Sequence, residues 1–74
     1  MPPKFRDLKK YCENTGWVLN RDTDHWYYEK VVTSGDVLKT RISHALAKEI
    51  SGNLWKKILK HQLKTTESEF WSKL

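Results

Sequence analysis

The sequence predicts a small α+β domain in which helices cover one face of a three-stranded antiparallel sheet. Three observations predict this class: helical spacing of apolar residues near both ends of the chain, three short β-branched and aromatic segments between them, and polar turns separating those segments. With 74 residues, the chain has room for one domain, spanning residues 1–74, and for about five short elements. No internal repeat, low-complexity tract or linker divides it.

The first element is a predicted helix at residues 4–14. Its apolar residues at helical spacing are Phe5, Leu8 and Cys12, with Tyr11 beside them. Charged side chains occupy the remaining arc, as in an amphipathic helix. Gly16 follows, and glycine takes the left-handed conformation that closes a helix at low steric cost. We therefore expect the helix to end just before Gly16 and a strand to begin directly afterwards.

Three predicted strands follow, at residues 17–21, 25–33 and 37–43. Each segment is short and rich in β-branched and aromatic residues, and the intervening turns contain Asp, Thr, Ser and Gly. In the third segment Leu38 and Ile42 alternate with Lys39 and Arg41, which is typical of a strand with one buried and one solvent-exposed face. We therefore expect an antiparallel meander with one open face.

The clearest helical signal lies at residues 54–64. Its apolar half consists of Leu54, Trp55, Ile58, Leu59 and Leu63, and its basic half of Lys56, Lys57, Lys60 and Lys64. Residues at about 100° per step separate into these two halves of a helix. Asn53 is the expected N-cap, and Thr65 or Thr66 is expected to cap a last short helix. The apolar residues of that helix are Phe70, Trp71 and Leu74.

Composition indicates an anionic partner and a reducing compartment. Fourteen Lys and Arg against nine Asp and Glu give a net charge of +5, which favours nucleic acid first among anionic partners. A single cysteine, Cys12, cannot form an internal disulfide, so the cytoplasm is the expected location. No apolar run approaches the ~20 residues of a membrane helix, and the first residues lack a signal-peptide core, so neither a membrane nor secretion is expected.

Three histidines are the side chains best suited to proton transfer near neutral pH. His25 stands where a polar turn meets the second strand, so its side chain can be exposed and still be held by the sheet. His44 follows the third strand and is either structural or a second catalytic candidate. His61 lies between the apolar and basic halves of the helix, where a solvated side chain is expected.

Other chemistries lack the residue patterns that they need. The chain has no Gly-rich phosphate loop, no Cys pair for zinc and no His-Glu pair typical of a metalloprotease helix. No metal and no small-molecule cofactor are therefore expected. Cys12 lies on the apolar stripe of the first helix, which predicts a buried small residue in preference to a nucleophile.

The basic half of the long helix has two interpretations. In most proteins such a face is simply solvated. Here it is joined by basic residues on the third strand, with Trp26 and Tyr27 on the sheet for base stacking, which favours phosphate contacts with RNA. The predicted RNA-binding residues are Lys56, Lys57, Lys60, Lys64, Lys39 and Arg41.

Five short motifs together resemble one known family. They are Gly16-Trp17, His25-Trp26-Tyr27-Tyr28, the strand-ending His44, the run at residues 48–60 and Glu69-Phe70. The run at residues 48–60 is similar to a Lys-Glu, Gly-Thr-Leu and Ile-Leu-Lys pattern. In order and spacing the motifs resemble the HicA-type (YcfA-like) mRNA interferases, the messenger-RNA-cleaving toxins of bacterial and archaeal toxin–antitoxin pairs. The resemblance spans most of the chain.

The resemblance implies a fold, an activity and partners. The implied fold is that of a double-stranded-RNA-binding domain, with the order helix, three antiparallel strands, helix. The implied activity is metal-independent endonucleolytic cleavage of mRNA, with His25 as the catalytic residue and His44 as the second candidate. The implied partners are single-stranded RNA or mRNA and a HicB-like antitoxin protein.

Two alternative functions stay open at this level. The chain differs from the family pattern at Thr23-Asp24, where a glycine and a small residue are usual, at Ile42-Ser43, and near residues 62–64, where a glycine is usual. One alternative is therefore a non-catalytic RNA-binding module of the same fold. The other is a protein-interaction domain whose basic surface meets an acidic partner. A true double-stranded-RNA-binding domain is not expected, because its Lys-Lys-x-Ala-Lys signature is missing.

Overall fold

The computed structural model of the protein describes residues 2–74. The elements are α1 (Phe5–Asn14), β1 (Val18–Asp22), β2 (Trp26–Val31), β3 (Val37–Ile42), α2 (Gly52–Lys57), a π-helical continuation of α2 (Ile58–Leu63) and α3 (Glu67–Ser72). This order confirms the predicted α+β class. Gly16 has a φ of 82°, which confirms that it closes α1 in the left-handed conformation.

The three strands form one antiparallel sheet in the order β1-β2-β3, so β2 is central. Tyr28 of β2 pairs with Leu19 of β1 and with Thr40 of β3. A bulge between Leu19 and Arg21 interrupts the register of β1. A bulge bends an edge strand and makes it a poor template for further pairing. The predicted meander is confirmed.

The helices cover one face of this sheet. In β3, Leu38, Thr40 and Ile42 are buried and the residues between them are exposed, as their alternation predicted. The core on that face is completed by Leu8, Tyr11, Cys12, Trp17, Tyr28, Ile50, Trp55, Ile58, Leu63 and Phe70. Every helix within residues 2–74 is too short or too polar to span a membrane.

The segment between β3 and α2 docks on the start of α1. The Phe5 amide donates a hydrogen bond to the Lys48 carbonyl (3.0 Å), and the Ile50 amide donates to the Pro3 carbonyl (2.9 Å). The first N–H groups of a helix have no partner within the helix, and this segment satisfies two of them, because the Arg6 amide also donates to the Leu46 carbonyl (3.1 Å). Ile50 is 1% exposed. The apolar residues of this segment show no regular spacing in the sequence, and the position of the segment was therefore not predicted.

α2 begins earlier than the predicted Asn53 cap. Ser51 is the N-cap, and its hydroxyl accepts a hydrogen bond from the Leu54 amide (3.4 Å). The prediction for Asn53 was wrong, since Asn53 lies inside the helix. Serine and asparagine are comparable caps, so the burial of the residues on either side of the cap decides where the helix begins. Ile50 before the cap and Trp55 within the first turns are both buried, the arrangement of a hydrophobic staple that fixes where the helix starts.

The second half of the long helix is π-helical, where a regular α-helix was predicted. A π-helix has a wider turn, which changes the face that its side chains present. Gln62 is turned toward the sheet, and its Oε1 accepts a hydrogen bond from the Thr40 hydroxyl (2.6 Å). Thr40 is only 4% exposed, so this bond satisfies a buried hydroxyl. Hydrophobic periodicity cannot detect such a local change of pitch.

α3 is the short last helix. The Thr66 hydroxyl accepts a hydrogen bond from the Glu69 amide (3.1 Å), so Thr66 is the cap of the two predicted alternatives. Phe70 is fully buried, whereas Trp71 next to it is 40% exposed. One face of α3 thus closes the core beside α1 and α2.

The π segment ends at Lys64 in the left-handed conformation, with φ 51° and ψ 50°. The Leu59 carbonyl accepts hydrogen bonds from the amides of Lys64 and Thr65, the latter at 3.1 Å. Glycine is usual at such a helix end, because a Cβ there costs roughly 1–2 kcal/mol. The chain therefore keeps a strained lysine at this position.

Replacing Lys64 with glycine is expected to raise the free energy of unfolding by about 0.5–1 kcal/mol. The strain of the left-handed lysine disappears, and the greater entropy of glycine in the unfolded chain offsets part of the gain. Urea denaturation followed by circular dichroism measures the change. The control is Lys60→Gly, within the π segment, which is expected to lower stability by about 1 kcal/mol. A lower midpoint for Lys64→Gly than for the wild type would contradict the prediction.

Candidate functional site

His25 lies in the turn immediately before β2. Its side chain is 33% exposed, so the imidazole is held by the fold and still reaches solvent. Nδ1 is inaccessible to solvent and lies 3.2 Å from Oδ2 of Asp24. The distance fits an ion pair, but Nδ1 makes no hydrogen bond in this geometry. Nε2 is the ring nitrogen open to a ligand.

Asp24 is itself fixed by two hydrogen bonds. The hydroxyls of Tyr27 (2.9 Å) and Thr23 (3.0 Å) both donate to its Oδ1. These bonds, the one from Tyr27 most, together with the neighbouring His25, hold the pKa of Asp24 well below its ordinary value. The carboxylate is therefore ionised at neutral pH. A carboxylate facing Nδ1 of an imidazole favours a proton on that nitrogen and leaves Nε2 as the acceptor.

A cavity of about 140 Å³ lies between His25, the end of β3 and α2. Its polar lining consists of His25, Arg41, Ser43 and Gln62, and its apolar lining of Phe5, Leu54 and Ile58. Gln62 is held there by its bond to Thr40. The structure thus brings the first catalytic candidate, His25, together with one predicted RNA-binding residue, Arg41.

His44 has different surroundings and does not line this cavity. Its Nε2 lies 3.2 Å from Oδ1 of Asp22. Its ring packs edge-on against Trp26, with the ring centroids 4.4 Å apart. Through these contacts His44 connects the end of β3 to the end of β1. This is a structural role, and it needs no substrate.

Only one of the two aromatic residues predicted for base stacking lies on the open face. Trp26 pairs with buried Ile42, and paired residues of an antiparallel sheet share a face. Its indole is half-buried on the helix-covered face, with the Lys9 ammonium 5.2 Å from the ring centroid, so the prediction for Trp26 was wrong. Tyr27 is on the open face, with the Arg21 guanidinium 4.7 Å from its ring.

The other predicted RNA-binding residues do not line the His25 cavity and do not form one cluster. Lys60 and Lys64 line a shallow groove beside the π segment, together with Thr65 and Thr66. Lys39 lines a separate depression on the open face, beside Tyr27. Lys56 and Lys57 are exposed in the last turn of α2. The lysines therefore lie on three separate surfaces: the open face of β3, the last turn of α2 and the groove beside the π segment.

The remaining titratable candidates, Cys12 and His61, do not line the His25 cavity. Cys12 is buried, and burial raises the pKa of its thiol to about 12, which confirms the prediction of a structural cysteine. His61 is exposed on the π segment. Within residues 2–74, no group of three or more His, Cys, Asp and Glu side chains is placed to hold a metal ion.

No protein-family model, curated protein or solved structure matches this chain. Its function therefore has to be inferred from the geometry of the site and from the motifs in its sequence.

Sequence reasoning identified His25 and Arg41 but missed Asp24, Ser43 and Gln62. In sequence, Asp24 is only a departure from the family pattern, although an acidic residue next to a candidate histidine is itself a signal. Gln62 lies at about 80° from Leu54 on a regular helix, within the apolar half, and a polar residue among apolar ones was a signal that was not used. Ser43 reaches the cavity only because β3 ends beside the turn that holds His25.

Proposed function

We propose that this protein is a metal-independent endoribonuclease that binds and cleaves messenger RNA. The observation that carries the proposal is the small cavity shared by His25 and Arg41, with the Asp24 carboxylate behind the imidazole. An oriented imidazole, with an arginine lining the same cavity, offers the two things that phosphate transfer needs. These are proton transfer and stabilisation of negative charge.

The chemistry uses a nucleophile that RNA itself carries. Nε2 of His25 takes the proton of a ribose 2′-OH, and that oxygen attacks the adjacent phosphorus. The bond to the 5′ oxygen of the next nucleotide breaks, leaving a 2′,3′-cyclic phosphate, and the departing oxygen receives a proton from the imidazolium or from water. Arg41 opposes the charge that builds on the phosphate. No metal or cofactor is needed, and the proposal assigns no proton transfer to His44.

The resemblance to HicA-type mRNA interferases supports the same activity and suggests its setting. In that setting the chain is a cytoplasmic toxin with a double-stranded-RNA-binding-domain-like fold, inhibited by a HicB-like antitoxin protein. The departure from the family pattern at Thr23-Asp24 is compatible with activity, since both side chains belong to the hydrogen-bonded group behind His25. Co-expression with the protein encoded in the neighbouring reading frame tests the partner.

The activity is tested with purified protein and single-stranded RNA in EDTA, which silences contaminating metal-dependent nucleases. RNA is expected to be cleaved, and DNA of the same sequence to stay intact because it lacks the 2′-OH. A single 2′-deoxy substitution at a mapped cleavage position is expected to block cleavage there only. Cleavage of the DNA, or continued cleavage at the deoxy position, would contradict the proposed chemistry.

A non-catalytic RNA-binding module is the second candidate, and the open sheet face favours it. Tyr27 there is flanked by Arg21, with Lys39 nearby, so a base and its phosphates have contacts that do not involve His25. RNA that binds without being cleaved in the same assay supports this candidate. RNA that does not bind at all leaves the protein-interaction domain with an acidic partner.

The double variant Lys56→Gln, Lys60→Gln is expected to flatten the salt dependence of RNA binding. Each phosphate contact contributes roughly 0.7 to the slope of log affinity against log salt for single strands, so the slope should fall by about one unit or less per lysine. Both side chains are exposed, so the fold should be retained. Fluorescence anisotropy over a salt series measures the slope.

The control for this prediction is Lys10→Gln, an exposed lysine on α1 outside the proposed surface. It is expected to leave the slope nearly unchanged. If the double variant also leaves the slope unchanged, the RNA surface lies elsewhere, on the open face with Lys39 and Arg41.

A further inference from the structure

A second cavity, of about 360 Å³, lies at the end of the sheet away from His25. It is bounded by α1, by the turn between β2 and β3, and by the chain after the π segment. Its polar lining consists of Lys30, Lys64, Tyr11, Ser34, Thr65 and Asp36. A strand rises about 3.3 Å per residue, so Lys30 lies roughly 17 Å from His25 along β2. The proposed cleavage does not use this cavity.

Lys30 occupies a position where the strand pattern requires an apolar residue. It pairs with Leu38 and shares the helix-covered face with Tyr28, and both of those residues are buried. Lys30 itself is half-buried. Among residues 2–74 no carboxylate forms an ion pair with it. Its ammonium is therefore free of a fixed counter-charge and can pair with a bound anion.

Lys64 is a second lysine that lines the same cavity, from the helix side. It is the residue held in the left-handed conformation, where a glycine would be unstrained. Residues kept in strained conformations are concentrated at binding and catalytic sites. Lys64 and Thr65 also line the groove that contains Lys60, so the cavity adjoins the basic helix face.

Hydroxyl groups and net charge indicate what the cavity accepts. Tyr11, Ser34 and Thr65 offer hydroxyl donors. The Ser34 hydroxyl lies 3.2 Å from Oδ2 of Asp36, whose carboxylate places one negative charge on the wall. Two ammonium groups against one carboxylate leave the wall with a net positive charge, and this favours a phosphate over a carboxylate because phosphate can accept more of the donors. The volume exceeds what a bare phosphate needs and fits a nucleotide.

We infer that this cavity binds a phosphate group of the same RNA strand that is cleaved at His25. The inference rests on the proposed RNA binding and adds a second anchoring point at the far end of the sheet. A stacked strand advances about 3.4 Å per phosphate, so roughly five nucleotides separate this anchor from the cleaved bond. RNA shorter than that reaches only one of the two sites and binds more weakly.

The test uses ¹⁵N-labelled protein and three probes: inorganic phosphate, uridine 5′-monophosphate and an eight-nucleotide 2′-O-methyl RNA, which cannot be cleaved. All three are expected to shift the backbone amides of Ser34, Gly35 and Thr65, and the oligonucleotide should displace uridine monophosphate. Lys30→Met is expected to weaken binding of uridine monophosphate about tenfold, since a charged hydrogen bond is lost. Lys64→Gly should weaken it similarly while the fold becomes more stable.

Lys73→Gln is the matched control, because it removes the same charge from an exposed position outside the cavity and outside the predicted RNA-binding residues. It should change uridine monophosphate binding less than twofold. Unchanged affinity in Lys30→Met, or amide shifts confined to other regions, would overturn the inference. Binding of the mononucleotide without any shift from the oligonucleotide would also overturn it, because the cavity would then take a free nucleotide. Failure of wild-type protein to cleave RNA, with these shifts intact, would refute the proposed activity and leave the anchoring site standing.

Discussion

Replacing His25 with alanine is expected to lower the rate of RNA cleavage by ~10²- to 10⁴-fold, the usual contribution of a general acid–base group. RNA affinity and the free energy of unfolding should change little. The imidazole is one-third exposed, lies in a turn outside the core and contacts Asp24, which is also at the surface. The measurement is cleavage of single-stranded RNA in EDTA at matched protein concentrations, alongside the dissociation constant for 2′-O-methyl RNA.

The other two histidines are the matched controls for this prediction. His44→Ala should cost more stability than rate, because the ring packs against Trp26 and its Nε2 is near Asp22. His61→Ala should change neither quantity, since that side chain is exposed on the π segment. Cleavage by His25→Ala at the wild-type rate would remove the proposed catalyst.

Asp24→Asn separates positioning from binding at the same site. The amide keeps the size of the carboxylate but loses the charge that faces Nδ1, so the turnover number should fall while RNA affinity is retained. Asp24 acts through His25 in this scheme and does not touch the substrate. A loss of RNA affinity without a loss of turnover would assign Asp24 to binding instead.

Replacing Phe70 with alanine is expected to destabilise the domain by ~3–5 kcal/mol, the usual cost of removing a fully buried aromatic ring. Phe70 is completely buried, stacks against Tyr11 of α1 (centroids 4.9 Å apart) and packs edge-to-face against Trp55 of α2 (4.7 Å). A domain of 74 residues has a total stability of roughly 4–11 kcal/mol. The variant should therefore be largely unfolded at 37 °C or melt at least about 15 °C below the wild type.

Trp71→Ala is the control, because Trp71 is adjacent in α3 and equally aromatic but 40% exposed. It should cost about 1 kcal/mol or less. Thermal denaturation followed by near-ultraviolet circular dichroism compares the two variants. Equal destabilisation by both substitutions would show that α3 is held by its whole surface, and that Phe70 is not its anchor.

The sequence predicted which types of residue form the candidate site. It did not predict how those residues are arranged in space. His25 was one of three candidate histidines from its place at a turn before a strand, and the resemblance to the HicA-type family gave it the catalytic role. Arg41 was identified from the alternation of β3, but only as one of several basic residues on a surface. That these two residues line one cavity follows from the antiparallel pairing of β2 with β3, which brings the start of one strand beside the end of the other.

The sequence by itself determined the order of the elements, the buried face of β3 and the separation of apolar and basic residues along the long helix. These features depend on local spacing, which the chain carries whatever its tertiary contacts are. Only the tertiary structure decided that Ser51 caps α2, that Trp26 lies under His44, that the helix becomes π-helical at Ile58 and that Lys30 faces a cavity. Each of these depends on which distant residues meet in the core, and the free energy of those contacts exceeds the small local preferences that a sequence pattern records.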